Sequence, residues 1–185
     1  MASEHSATEA SNTVSELTVR GRCMCGDIRY EITGPMFDMV HCHCESCRRH
    51  SSTAFATVFN IDKTNFRYIR GTPVPYNSSP GVERTHCGRC GSPISYENAR
   101  ELSIFACTLE DLTLVKPQAH IMVGEMLPWL DFGDDLPCFE RGLHGKPSIG
   151  HGPSNLPRVS VESVRANSET TNAARDNFKR GNAPH

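Results

Sequence analysis

The sequence has no long hydrophobic run, no strong net charge and few apolar residues overall. Its longest apolar runs, such as FATVF at 55–59, fall far short of the roughly 18 residues that span a bilayer. With a formal net charge of −2, it lacks the basic balance typical of nucleic-acid binding. Its N-terminal stretch is acidic and lacks the apolar segment of a secretory signal. These absences predict a cytoplasmic protein with neither a membrane nor a nucleic-acid partner.

The length and the apolar content predict one domain with unpacked ends. A chain of 185 residues is long enough for one ordinary domain. Its apolar fraction of 37% is low for a wholly globular chain, so part of it is expected not to pack. We predict a disordered leader at 1–15, a folded domain at 16–140 and a polar tail at 141–185 that is disordered or partly helical.

Short stretches of alternating apolar and polar residues run through the predicted domain. They are ELTVRGRC (16–23), DIRYEIT (27–33), AFATVFNI (54–61), NFRYI (65–69), LSIFACTL (102–109) and AHIMV (119–123), with turn signals at 33–35, 70–75, 78–81 and 90–93. Many short strands with such punctuation predict a mainly β domain. Only 44–52 and 109–114 look able to hold a turn or two of helix.

Cysteine is the abundant residue, with nine in the chain. Seven of the nine form motifs: C-x-C at Cys23 and Cys25, C-x-C-x-x-C at Cys42, Cys44 and Cys47, and C-x-x-C-G at Cys87 and Cys90. An odd number in a chain expected to be cytoplasmic argues against a disulfide framework and for metal binding or catalysis. Structural zinc sites often use four thiolates, whereas catalytic zinc sites use three protein ligands and keep a position open.

The spacing fits two ways of sharing these ligands. In the first, Cys23 and Cys25 lie on a strand and form a closed four-cysteine site with Cys87 and Cys90. The turn at 87–91 would direct both of its thiols inward, because Gly91 can take a positive φ. Cys42, Cys44 and Cys47 then form an open three-cysteine site. In the second, Cys44 and Cys47 pair with Cys87 and Cys90 as in a zinc ribbon, and the other three are left over.

The isolated cysteines and the neighbouring histidines are expected to lie outside these sites. Cys107 sits in the apolar stretch SIFACTL and is predicted to be a buried core thiol; Cys138 is also isolated. His41 and His43 alternate with Cys42 and Cys44, so we expect their rings to face away from the metal.

The order of these motifs resembles one known family. G-x-C-x-C-G (21–26), C-H-C-x-x-C-R (42–48), Y-x-S-S (76–79), C-x-x-C-G-S-P (87–93), H-I (120–121) and P-W-L (128–130) are similar to the glutathione-dependent formaldehyde-activating enzymes, whose wider family includes centromere protein V-like proteins. The resemblance covers roughly residues 18–140. It implies a β-tent fold of small antiparallel sheets organised around two zinc ions. It also favours the first partition, with Cys23, Cys25, Cys87 and Cys90 on a structural zinc and Cys42, Cys44 and Cys47 on a catalytic zinc.

The resemblance implies a zinc-dependent carbon–sulfur lyase-type activity on a thiol adduct or small carbonyl, with glutathione as the candidate thiol. Arg48 and Arg49 follow the third ligand of the open site, and guanidinium groups bind carboxylates bidentately. Tyr76, Ser78 and Ser79 would add hydroxyl contacts to the substrate. These five residues are the predicted substrate contacts.

Two alternatives stay open at this point. The same zinc site would also suit another small carbonyl or imine substrate in a biosynthetic pathway. A non-catalytic, zinc-stabilised binding module with two structural sites is the other alternative. We expect a small-molecule substrate as the partner, and a homodimer is compatible with the sequence.

Overall fold

The computed structural model describes residues 18–143, which form eleven strands and one α-helix. A three-stranded antiparallel sheet contains β1 (Thr18–Arg22), β2 (Arg29–Thr33) and β5 (Phe66–Arg70) in that order. A second sheet has the order β11 (Cys138–Phe139), β10 (Ala119–Ile121), β3 (Met36–Cys42), β4 (Ala56–Ile61), β9 (Leu102–Phe105), β8 (Pro93–Glu97), β7 (Val82–His86), β6 (Val74–Ser79). The mainly β prediction is confirmed.

The second sheet is larger than the expected small sheets, and it is not wholly antiparallel. It contains eight strands, and β10 pairs in parallel with both β3 and β11. The helix α1 (Glu45–Ser51) follows β3, and short 3₁₀ turns lie at Lys63–Asn65, Ala106–Thr108, Leu112–Leu114 and Val123–Glu125. The helices predicted within 44–52 and 109–114 are therefore present. Within residues 18–143, no helix is long and apolar enough to cross a membrane.

Two of the predicted turn segments are wrong in part, because β6 begins at Val74 and ends at Ser79. Proline favours a turn, yet Pro75 lies inside this strand. An edge strand tolerates proline because one side of its backbone needs no hydrogen-bond donor, and β6 is the last strand of its sheet. The hairpin turn itself lies at Pro80 and Gly81, inside the predicted segment 78–81.

Buried apolar side chains form two clusters that the strands β3 and β4 separate. The larger cluster joins residues of both sheets, among them Ile32, Met39 and Phe59. The smaller contains Val40 and Val58 with the start of α1 and the β10–β11 edge. Because neighbouring residues of a strand point to opposite faces, Met39 and Val40 enter different clusters. The predicted leader, 1–15, and nearly all of the predicted tail, 141–185, lie outside the described residues.

Candidate metal centres

Four cysteines from the two ends of the motif series meet at one place. Cys23, Cys25, Cys87 and Cys90 have sulfur atoms that all lie within 4.8 Å of one another. The Sγ atoms of Cys23 and Cys25 are 3.5 Å apart, and those of Cys25 and Cys87 are 3.7 Å apart. The prediction that the first pair lies on a strand is wrong, since β1 ends at Arg22. A turn rather than a pleat brings its two sulfurs together.

Two glycine-containing turns shape this group. Gly26 has a φ of 78°, and its amide donates to the carbonyl of Cys23 at 3.1 Å. Gly91 has a φ of 73°, and its amide donates to the carbonyl of Cys87 at 2.9 Å, as predicted for the C-x-x-C-G turn. Positive φ is easily reached only by glycine. Each turn thus folds its cysteine pair back toward the other.

The remaining three motif cysteines form a second, separate group. The sulfur atoms of Cys42, Cys44 and Cys47 also lie within 4.8 Å of one another. Cys42 ends β3, Cys44 caps the N-terminus of α1, and its sulfur accepts a hydrogen bond from the amide of Cys47 at 3.3 Å. The structure therefore groups the cysteines as four and three, and it does not bring Cys44 and Cys47 to the 87–90 turn as a zinc ribbon would.

The acid–base state of the three-cysteine group fits a divalent cation. Hydrogen bonds from Cys42 and Cys47 lower the pKa of Cys44 to about 2, so this thiol ionises first. Hydrogen bonds with Cys44 and Cys47, together with burial, raise the pKa of Cys42 far above its ordinary value. A second thiolate is unfavourable beside the first unless a metal ion supplies positive charge. The set of soft sulfur donors suits zinc.

All nine cysteines are free of disulfides, as predicted from their odd number. The two isolated cysteines are Cys107 and Cys138, and the burial of Cys107 differs from the prediction. Cys107 is exposed, so the prediction of a buried core thiol is wrong. The strand β9 ends at Phe105, and the 3₁₀ turn Ala106–Thr108 buries its first and last residues while it turns Cys107 outward. Cys138 is partly buried.

A sequence model of one family matches this chain over residues 18–125: the glutathione-dependent formaldehyde-activating enzyme. The match spans all seven cysteines of the two groups. The chain belongs to this family. A crystal structure of a Rhodobacter sphaeroides protein is 24% identical, with a TM-score of 0.41, and covers 49% of this chain and 87% of its own. No curated protein is significantly similar to the chain.

One buried side chain next to the three-cysteine group is not among the predicted site residues. Arg84 on β7 is only 4% exposed, and its Nη1 lies 4.0 Å from the Sγ of Cys47. Its Nε donates to the Oγ of Ser78 at 3.2 Å, and its guanidinium carbon lies 4.9 Å from the ring centre of Tyr96. The stretch VERTH (82–86) is not among the strands predicted from the sequence. Only the pairing of β7 between β6 and β8 shows that Arg84 points inward.

The two arginines predicted to bind substrate have partners within the protein. The Nε of Arg48 donates to the carbonyl of His43 at 3.0 Å, and its Nη2 donates to the carbonyl of Glu125 at 3.1 Å. Arg49 has a side chain that is 79% exposed, with its Nε 2.7 Å from the Glu45 carboxylate one turn earlier in α1. Arg48 thus fastens α1 to the chain around residue 125.

The three predicted hydroxyl contacts lie on β6. Tyr76 is 59% exposed, and Ser79 is exposed as well. Ser78 is partly buried and accepts the hydrogen bond from Arg84. Of the three, Ser78 is therefore the one that the structure connects to the three-cysteine group, through Arg84 and Cys47.

A chain of hydrogen-bonded histidines lies beside the three-cysteine group. The Nε2 of buried His43 is 3.0 Å from the Nδ1 of His120, whose Nε2 is 3.1 Å from the Asp134 carboxylate. Because the carboxylate accepts, His120 donates from Nε2 and accepts from His43 at Nδ1. Burial lowers the pKa of His43 to about 4, which keeps this ring neutral. Neither His41 nor His43 belongs to a cysteine group, in line with their predicted orientation.

Proposed function

We propose that this protein is a zinc-dependent carbon–sulfur lyase-type enzyme that joins or separates a thiol and a small carbonyl compound at Cys42, Cys44 and Cys47. The observation that carries the proposal is the group of three sulfurs within 4.8 Å of one another, from buried Cys42 and Cys47 and partly buried Cys44, in a chain of the glutathione-dependent formaldehyde-activating enzyme family. Three protein ligands are the donor set of a catalytic zinc, whereas four close a structural one. A reducing, cytoplasmic location belongs to the same proposal.

The protein residues would perform distinct tasks in this activity. A zinc ion held by the three thiolates would stabilise a bound thiolate or polarise a carbonyl oxygen. Arg84 would supply positive charge beside Cys47, and Ser78 would hold the Arg84 side chain in place. The hydrogen-bonded pair of His43 and His120 would keep the segment around Cys42 and Cys44 in one conformation.

The four-cysteine group would hold a structural zinc in this proposal. Cys23 and Cys87 are each 1% exposed and belong to the larger apolar cluster. Cys23 directly follows a strand of the small sheet, and Cys87 follows a strand of the large sheet. An ion bound there would link the two sheets, which is a structural task.

A second candidate keeps the site and changes the substrate to another small carbonyl or an imine. The hydrogen bonds that Arg48 and Arg49 make within the protein favour retaining this second candidate. Both guanidinium groups already donate to protein oxygens, which leaves fewer of their N–H groups for the carboxylates of glutathione. The thiol specificity would then depend more on other residues.

An NMR exchange experiment tests the proposal. The zinc-loaded protein is mixed with glutathione and ¹³C-formaldehyde. The rate at which their hemithioacetal adduct forms and breaks down is measured by exchange spectroscopy. We expect faster exchange with the wild type and with Cys107→Ser, and the uncatalysed rate with Cys44→Ala. Acceleration with a different carbonyl in place of formaldehyde would support the second candidate. No acceleration with any carbonyl would leave the non-catalytic binding module.

A further inference from the structure

Arg84 is a buried cation without a carboxylate partner in the described part of the chain. At 4% exposure it has lost nearly all contact with water, yet no Asp or Glu among residues 18–143 lies within ion-pair distance of it. Burying a charge is costly unless an opposite charge compensates it. Within residues 18–143, a negative group other than a carboxylate would have to offset this cost.

The three-cysteine group supplies that negative charge when a metal ion is bound. Three thiolates around one divalent cation carry a single net negative charge. One guanidinium beside Cys47, at 4.0 Å, balances this charge. The four-cysteine group differs, because its neighbouring Arg89 is 71% exposed and is already paired with Asp27 at 3.1 Å. A buried balancing cation is thus specific to the three-cysteine group.

The surroundings of Arg84 hold its charge in one place. Its Nε donates to Ser78, the ring of Tyr96 lies against the guanidinium, and Arg84 stands between Tyr76 and Tyr96 in the register of the sheet. An aromatic face attracts a cation without neutralising it. The positive charge therefore remains available to a ligand that arrives at the three-cysteine centre.

We propose that Arg84 is the counter-charge of the three-cysteine centre and that it makes an anionic fourth ligand bind in preference to a neutral one. This inference rests on the proposed function, because it requires an open position at that centre. A thiolate that binds there raises the negative charge of the centre from one to two, and the positive charge of Arg84 weakens the repulsion that this second charge meets. A neutral ligand adds none, so its affinity should hardly depend on Arg84. A charge a few ångströms away in a partly buried setting changes affinity by about tenfold or more.

Cobalt substitution gives the test a readout that does not depend on activity. The Co(II)-loaded wild type, Arg84→Gln and Arg84→Lys proteins are titrated with thiocyanate, an anion, and with imidazole, a neutral ligand, and the visible spectrum is followed. Arg100→Gln, at an exposed turn arginine, is the matched control. We expect Arg84→Gln to bind thiocyanate at least about tenfold more weakly, with imidazole affinity changed by less than about threefold and cobalt content unaltered.

The outcomes separate this inference from the proposed function. Thiocyanate affinity in Arg84→Gln equal to that of the wild type would overturn the role of Arg84 and leave the open site standing. A wild-type spectrum that responds to neither ligand would overturn both. If Arg84→Gln does not fold, Arg84→Lys decides the question. It keeps the charge, so affinity within a few-fold of wild type supports the proposal, and a tenfold loss contradicts it.

Discussion

Replacing Cys90 by serine should unfold the domain, because the four-cysteine group joins distant parts of the chain. The group connects the turn after β1 to the turn after β7, and Cys25 and Cys87 are separated by 62 positions. By the loop-closure relation for a covalent cross-link, closing a loop of that length contributes roughly 4 kcal/mol. Structural zinc contributes about 10–16 kcal/mol in small zinc domains, which is comparable to the whole stability of an ordinary domain, about 5–15 kcal/mol.

The assay for Cys90→Ser combines thermal unfolding, followed by circular dichroism, with metal analysis. We expect the variant to lose one metal ion and its cooperative unfolding transition. Cys107→Ser is the matched control, since Cys107 is exposed and lies outside both cysteine groups. It should unfold at the wild-type temperature. A soluble Cys90→Ser protein with an unchanged midpoint and unchanged metal content would refute the reasoning.

Two further predictions concern buried positions. A Cβ at Gly21 would lie 2.1 Å from the ring of the fully buried Tyr30, so Gly21→Ala should lower the unfolding free energy by about 1–3 kcal/mol or more in urea titration. Gly133→Ala, where a Cβ would meet nothing within 4 Å, should change it little; equal midpoints for the two variants would contradict the packing. Burial, with nearby positive charge, lowers the pKa of His50 to about 4, below the value of about 6.5 in an unfolded chain. The unfolded state therefore binds the proton first, and stability falls as the pH drops from about 6.5 to 4. His50→Gln should flatten that slope by at most about 1.4 kcal/mol per pH unit, and an identical slope in both proteins would show that His50 does not contribute to it.

The cysteine pairs and the triplet could be predicted from sequence because each is local, whereas the spacing alone left open which of them meet, and the family resemblance favoured the four-and-three grouping. Each pair or triplet is held by a short turn, and glycines such as Gly91 mark where the backbone must adopt a positive φ. A strand with regular alternation, such as β1, is also predictable from the sequence. The conformation of the Cys23/Cys25 pair does not follow from the sequence, because C-x-C suits a pleated strand and a tight turn equally well. Only the end of β1 at Arg22 distinguishes the two.

The surroundings of the three-cysteine centre could not be predicted, because they depend on pairing between strands that are distant in sequence. Arg84 is 37 positions from Cys47, and its burial follows from the register of β6, β7 and β8. Arg48 and Arg49 looked better placed, since they adjoin a ligand in sequence. On the helix α1, Arg48 instead donates to the backbone carbonyls of His43 and Glu125. Arg49 donates to the carboxylate of Glu45.

The measurement that tests the central claim most directly is the metal content of Cys44→Ala beside that of the wild type. The claim is that the two cysteine groups bind separate ions with different roles. The ligand count predicts about two zinc ions per wild-type chain and about one in Cys44→Ala. The circular dichroism of the variant should remain that of the folded β protein, because the four-cysteine group is intact. A Cys44→Ala protein that still binds two ions, or one that unfolds as fully as Cys90→Ser, would contradict the account.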